Sequence, residues 1–114
     1  MNMPMNRRLQ HSARLDATFS ALSDATRRGV LERLGAGETS IGDLAASFDM
    51  TLTGMKKHVR VLEGAGLVST QKVGRVRRCT LSRRRLDDEL NWLARFHLRV
   101  GRYAGTRFCV DHHL

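Results

Sequence analysis

Ten basic side chains crowd into residues 51–85: Lys56, Lys57, Arg60, Lys72, Arg75, Arg77, Arg78, Arg83, Arg84 and Arg85, with Glu63 the one acid among them. Ten against one leaves nine positive charges, equal to the +9 of all 114 residues, so the rest of the chain is balanced. The chemistry open to these groups is hydrogen-bond donation, to phosphate oxygens or to the N7 and O6 acceptors of guanine. A basic excess held in one stretch is the footprint of a nucleic-acid-binding face; a merely solubilising surface would scatter it. Bond-breaking chemistry finds no support. No Gly-rich phosphate loop, metal-hydrolase spacing or nucleophile elbow occurs, and no enzyme activity is expected. His58 has no nucleophile or carboxylate pair near it in sequence, so it reads as a phosphate or structural contact rather than a base.

The elements that must position these residues follow from apolar spacing. Leu52, Met55, Val59 and Leu62 recur at three, four and three residues, which predicts a helix over 52–63 with that stripe facing the core. Thr53, Gly54, Lys56, Lys57 and Arg60 then point outward, as in a helix laid in the major groove with its first residues reaching base edges. Gly54 has two readings: close approach of backbone to DNA, or a tight helix crossing. Upstream, Ser40 caps a short helix with Asp43 at the capping-box position, and Ile41, Leu44, Ala45 and Phe48 form its buried face. Asp49-Met50 is the turn, and Thr51 caps the helix that follows. Downstream, β-prone runs at 67–73 and 76–81 flank Gly74-Arg75 and predict a hairpin. With Cys79 and Leu81 inward, Arg78 points out, and Arg75 at the tip can enter a minor groove or hold a phosphate. Cys79 is either a small apolar filler or, beside Arg77 and Arg78, a thiol of lowered pKa open to oxidants.

Leu15, Phe19 and Leu22 lie on one stripe of a first helix, and Ser23 or Asp24 caps a second over 25–34 that ends at Gly35-Ala36-Gly37. A last helix, about 83–101, aligns Leu86, Leu90, Leu93, His97 and Val100, with Trp92 and Phe96 alongside. So broad an apolar terminal helix exceeds what a small domain needs for its own core. With Leu15 and Phe19 it reads as a homodimer interface that would pair two recognition helices on two half-sites; packing on its own domain is the alternative. Asp87, Asp88 and Glu89 suit the positive end of a helix dipole. The expected fold is mainly α with a small β-hairpin, a winged helix–turn–helix of order α-α-α-α-β-β-α. Residues 1–12 are expected as a flexible basic arm, 13–101 as the domain with its dimerisation helix, and 102–114 as a tail whose order is left open. No apolar run approaches the roughly 20 residues of a membrane span, the N-terminus lacks the apolar stretch of a secretory signal, and two cysteines make no disulfide framework. A reducing cytoplasm is the expected location.

The residues resemble the ArsR-type bacterial winged-helix repressors. The resemblance is carried by Leu22-Ser23-Asp24-Ala25-Thr26-Arg27-Arg28, Phe48-Asp49-Met50-Thr51-Leu52-Thr53 and Lys57-His58-Val59-Arg60-Val61-Leu62-Glu63, then by Ala65-Gly66-Leu67-Val68 and Gly74-Arg75 before Val76. It runs from about residue 13 to 96. It implies a homodimer that binds a double-stranded DNA operator and represses transcription, with Thr51, Thr53, Gly54, Lys56, Lys57 and His58 in the DNA-reading part. Lys56 stands where members commonly have serine, so the resemblance does not carry over the operator sequence. With Arg60, Arg75, Arg77 and Arg78 added from the charge pattern, these make up the expected DNA-binding set.

Many such proteins release DNA on binding a metal. The cysteine motif some carry is absent, since residues 40–48 hold no Cys or His. The family's terminal-helix site would draw on Asp87, Asp88 and His97, but Val100 stands where a second histidine belongs. The tail offers Cys109, Asp111, His112 and His113, whose types suit zinc or nickel but whose adjacent histidines point apart in regular structure. No metal or other cofactor is expected, and an inducer is left unidentified. Two alternatives stand beside the repressor: a metal- or thiol-responsive sensor of the same fold, and a winged helix used for non-specific nucleic-acid or protein contact.

Overall fold

Capping and burial together set the element boundaries. The computed structural model describes residues 3–104, with side chains for 10–100. The elements are α1 (Met3–Leu22), α2 (Ala25–Leu34), β1 (Thr39–Ser40), α3 (Ile41–Ser47), α4 (Leu52–Gly64), β2 (Val68–Val73), β3 (Val76–Leu81) and α5 (Asp87–Ala104). A break between Arg84 and Arg85 divides the chain into two units, the second containing α5. The helix order and hairpin are those expected from the sequence, with one addition. The two-residue β1 pairs with β3 (Thr39 opposite Cys79, Ser40 opposite Arg78), giving an antiparallel sheet of order β1-β3-β2. Two residues are too few to leave a periodic signal.

Three N-caps are made as the sequence predicts: Asp24 accepts from the Arg27 amide, Ser40 from Asp43 and Thr51 from Gly54, each at 3.0 Å. The Arg27 N–H lowers the Asp24 pKa, opposed by partial desolvation and aided by the charges of His58 and Arg27. Because that pKa is depressed in the fold, the cap's contribution is present above the ordinary carboxylate range and is lost as pH falls through the lowered value. The α2 arginines also bind back to α1: Arg27 donates to the carbonyls of Ala21 and Ser20, and Arg28 to that of Leu22. Cations thus occupy the carbonyl end of α1, where the helix dipole favours them.

The turn between α3 and α4 is a Schellman motif. Met50 N–H reaches back to Ala45 O at 2.9 Å and Asp49 N–H to Ala46 O at 3.2 Å, with Asp49 at φ 55° in the left-handed region. The same pair of bonds closes α4, from Leu67 N–H to Leu62 O and Gly66 N–H to Glu63 O, with Gly66 at φ 78°. The hairpin turn places Gly74 (φ 64°) at its first central position, as a type II′ turn requires.

The core of the first unit is Val30 and Leu34 from α2, Leu44 and Ala45 from α3, Met55, Val59 and Leu62 from α4, and Val68 and Cys79 from the sheet. Phe48 lies over Gly29, where an added Cβ would stand 2.8 Å from the ring. Two residues expected inside are outside. Leu52 is 47% exposed because it is the first residue of α4, turned toward the wing, and Leu81 is 42% exposed at the end of β3. Two boundaries also differ. α1 reaches back to Met3 through the stretch read as a loose arm, because Pro4 is tolerated in a first turn and Met, Arg, Leu and Gln favour helix. α5 starts at Asp87 rather than near 83: Ser82 accepts from the Arg84 amide, and three arginines oppose the positive end of a helix while Asp87 and Asp88 suit it.

Leu62→Ala should destabilise the protein by about 2–5 kcal/mol in urea unfolding, while Leu52→Ala should stay within about 0.5 kcal/mol. Equal costs for both would contradict the rotation of α4 described here.

Candidate nucleic-acid interface

At about 100° per residue, burial of Met55, Val59 and Leu62 fixes where every other α4 side chain goes. Thr53, Lys57 and Arg60 fall at the exposed pole. Lys56 and Glu63 fall toward the wing, and Gly54 and His58 toward the other side. A groove of about 760 Å³ lies between α4, the first turn of α3 and the wing, lined on its cationic side by Lys56, Arg60, Lys72, Arg75 and Arg77. Among the described residues Lys56, Lys57, Arg60, Lys72 and Arg75 enter no ion pair.

The groove therefore gathers four residues of the expected set (Lys56, Arg60, Arg75 and Arg77), and Thr53 and Lys57 lie exposed beside it. Lys72 is an addition. It was counted in the basic stretch but not assigned, although it and Arg77 are cross-strand partners. Ser40, Gly42 and Leu52 also line the groove, and only strand pairing and helix rotation reveal that.

Four residues of the expected set have partners within the fold: His58, Arg78, Thr51 and Arg77, the last through a 3.1 Å bond to the Thr70 hydroxyl. The His58 ring is 3.2 Å from the Arg27 guanidinium and 3.7 Å from the Asp24 carboxylate, tying α4 to the start of α2. Arg78 alternates to the opposite face of the sheet from Cys79 and pairs with Glu38. Thr51 is exposed, with its hydroxyl engaged as the cap of α4. At Gly54 the tight helix crossing is not found: an added Cβ would meet the Thr51 Oγ1 at 3.1 Å and the Met50 methyl at 3.6 Å, both in the turn just before α4. Arg85 is occupied by Asp87, through bonds of 3.0 and 3.1 Å that hold the Asp87 carboxyl below its usual range.

Cys79 is fully buried, opposite Thr39 and Thr70 in the sheet. Burial pushes its pKa up and Glu63 adds to the rise, outweighing the pull of Arg77 and Arg78. The filler reading fits and the oxidant-responsive thiol does not. Among the described residues no group of three or more His, Cys, Asp or Glu could hold a metal. The candidates Cys109, Asp111, His112 and His113 lie outside those residues.

Of the expected dimer residues, Leu15 and Phe19 on α1 and Leu86 before α5 are half-buried, and Leu90, Leu93, His97 and Val100 are exposed. Within α5 the Trp92 and Phe96 rings stack with centroids 5.8 Å apart, and both are exposed. No helix among the described residues is long and apolar enough to cross a membrane.

The helix-turn-helix domain family matches residues 22–71, the span from the end of α1 to the middle of β2. The transcriptional repressor SdpR of Bacillus subtilis is 30% identical over 82 residues, covering 72% of this chain and 91% of SdpR. The crystal structure of the ArsR family transcriptional regulator RHA00566 superimposes with a TM-score of 0.70 at 36% identity, covering 85% of this chain and 96% of that one. The chain belongs to the ArsR family of winged helix–turn–helix transcriptional regulators. The fold alone is shared with a more distant protein. A homodimeric winged helix–turn–helix DNA-binding domain from Mycobacterium bovis matches with a TM-score of 0.60 at 18% identity, over 96% of each chain.

The thiol environment yields a direct check. In a Cys109→Ser variant, Cys79 should resist a thiol-reactive disulfide reagent at neutral pH and react once the protein is unfolded. Rapid reaction of the native protein would reinstate a thiol switch.

Proposed function

We propose that this ArsR-family protein binds a double-stranded DNA operator as a homodimer and represses transcription. In this reading α4 enters the major groove, and the wing tip holds the flanking phosphates. One observation carries it: five cations of α4 and the wing line a single open groove, and among the described residues none of the five enters an ion pair. Partition between phosphates and bases follows from placement. Thr53 and Lys57, at the exposed pole in the first turns of α4, are the base-reading candidates, while Arg60, Lys72 and Arg75 act on the backbone. Arg78 and His58, engaged within the fold, shape the interface from behind. The repressor role follows SdpR, and two-fold symmetry on the operator follows the homodimeric domain. The second copy would pack on the exposed apolar residues of α5, Leu90, Leu93, Phe96 and Val100, and on Leu15 and Phe19 of α1.

Fluorescence anisotropy against DNA upstream of its own gene, and against a scrambled duplex, tests this reading. The preference for the first should be roughly a thousandfold or more at physiological salt. Engagement of all five cations in both protomers would set a salt slope of about −9 in log K against log salt. Arg75→Ala should weaken both duplexes alike and reduce the slope by about one per protomer. Lys57→Ala should instead cost about 1–3 kcal/mol on the operator alone. A uniform loss for both variants would remove the base-reading role of α4.

The dimer has its own test. Leu93→Asp should shift the protein to monomer in sedimentation equilibrium and abolish the operator preference while leaving helix content unchanged. A variant that stays dimeric would move the interface off α5.

A further inference from the structure

Glu63 is the one carboxylate lining the cationic groove, where it opposes the binding of any polyanion. It is also the acceptor at the end of a relay. The Thr70 hydroxyl donates to Glu63 Oε2 at 2.9 Å, and Thr70 Oγ1 accepts from Arg77 Nη1 at 3.1 Å. The relay joins the last turns of α4 to the wing, crossing from β2 to β3. Its direction is set by chemistry. A hydroxyl has a single proton, and giving it to the carboxylate leaves the oxygen lone pairs for the guanidinium. Arg77 is thereby held by one of its N–H groups, with the others free toward the groove.

We propose that Glu63 and Thr70 are positioning residues for operator recognition, holding Arg77 in register with α4 while the Glu63 charge weakens unselective phosphate binding. This rests on the DNA-binding reading above. The argument is one of pre-organisation. A free arginine loses much rotamer freedom on docking, whereas one already held loses less and adapts less readily to a misaligned phosphate. A carboxylate in the same groove acts on all DNA by repulsion, and on correctly placed DNA that loss is offset by the aligned contact. Both effects raise the ratio of specific to unselective binding, which is what a regulator needs among competing genomic sites.

The test measures wild type, Glu63→Gln, Thr70→Val and Thr70→Ser by anisotropy against a footprinted operator and a scrambled duplex across a salt series. Circular dichroism serves as the folding control. Glu63→Gln should tighten scrambled DNA by about threefold, the scale of one exposed charge, and lower the operator-to-scrambled ratio by about tenfold. Thr70→Val changes no charge, so it should leave the salt slope and scrambled affinity near wild type while lowering the same ratio. Thr70→Ser keeps the hydroxyl and should restore it. Folded Glu63→Gln and Thr70→Val proteins that keep the wild-type ratio would overturn the proposal and leave the DNA-binding reading intact. A wild-type protein with no operator preference would overturn both.

Discussion

Burial of Met55, Val59 and Leu62 is the constraint on which the rest of this molecule depends. Removing these side chains from water, at about 1.5–3 kcal/mol each, sets the rotation of α4 about its own axis. Once that rotation is set, no freedom remains in where Lys56, Lys57 and Arg60 project. The Schellman turn at Asp49 and the Thr51 cap fix where the helix begins, and the second Schellman turn at Gly66 fixes where it gives way to the wing. The interface is therefore defined at both ends by backbone hydrogen bonds and along its length by apolar burial.

Gathering unpaired cations on one face is unfavourable for the isolated protein, since like charges repel. The fold limits that cost in two ways. It neutralises two basic residues that do not line the groove, pairing Arg78 with Glu38 and Arg85 with Asp87. It also places Glu63 inside the groove, bound through Thr70 to Arg77. What is left is a groove whose charge is directed outward, as expected of a surface whose partner is a polyanion.

Much of this was legible in the sequence because the signals are local. Stripe spacing located α4, the Ser40 and Thr51 caps located helix starts, and a glycine between β-prone runs located the hairpin. The losses came where tertiary placement decides. Leu52 fits the apolar spacing of α4 but sits on its first turn beside the wing, so it lines the groove instead of the core. Arg78 is as basic as Arg77, and only strand pairing to β1 brings Glu38 against it. His58 sits within the basic string, but helix rotation turns it to Arg27 and Asp24. Lys72 enters the site by cross-strand pairing with Arg77, a register that the two-residue Gly74-Arg75 turn dictates, so it was legible in the hairpin signal and was passed over.

The claim at the centre is that the groove between α4 and the wing is the surface that meets DNA. The most direct measurement is an amide NMR titration of the labelled protein with a footprinted operator duplex. Shift changes should concentrate at residues 51–60 and 72–77, with α2 amides beyond Arg28 little affected. Changes confined to α5 or spread evenly along the chain, with 51–60 silent, would contradict it.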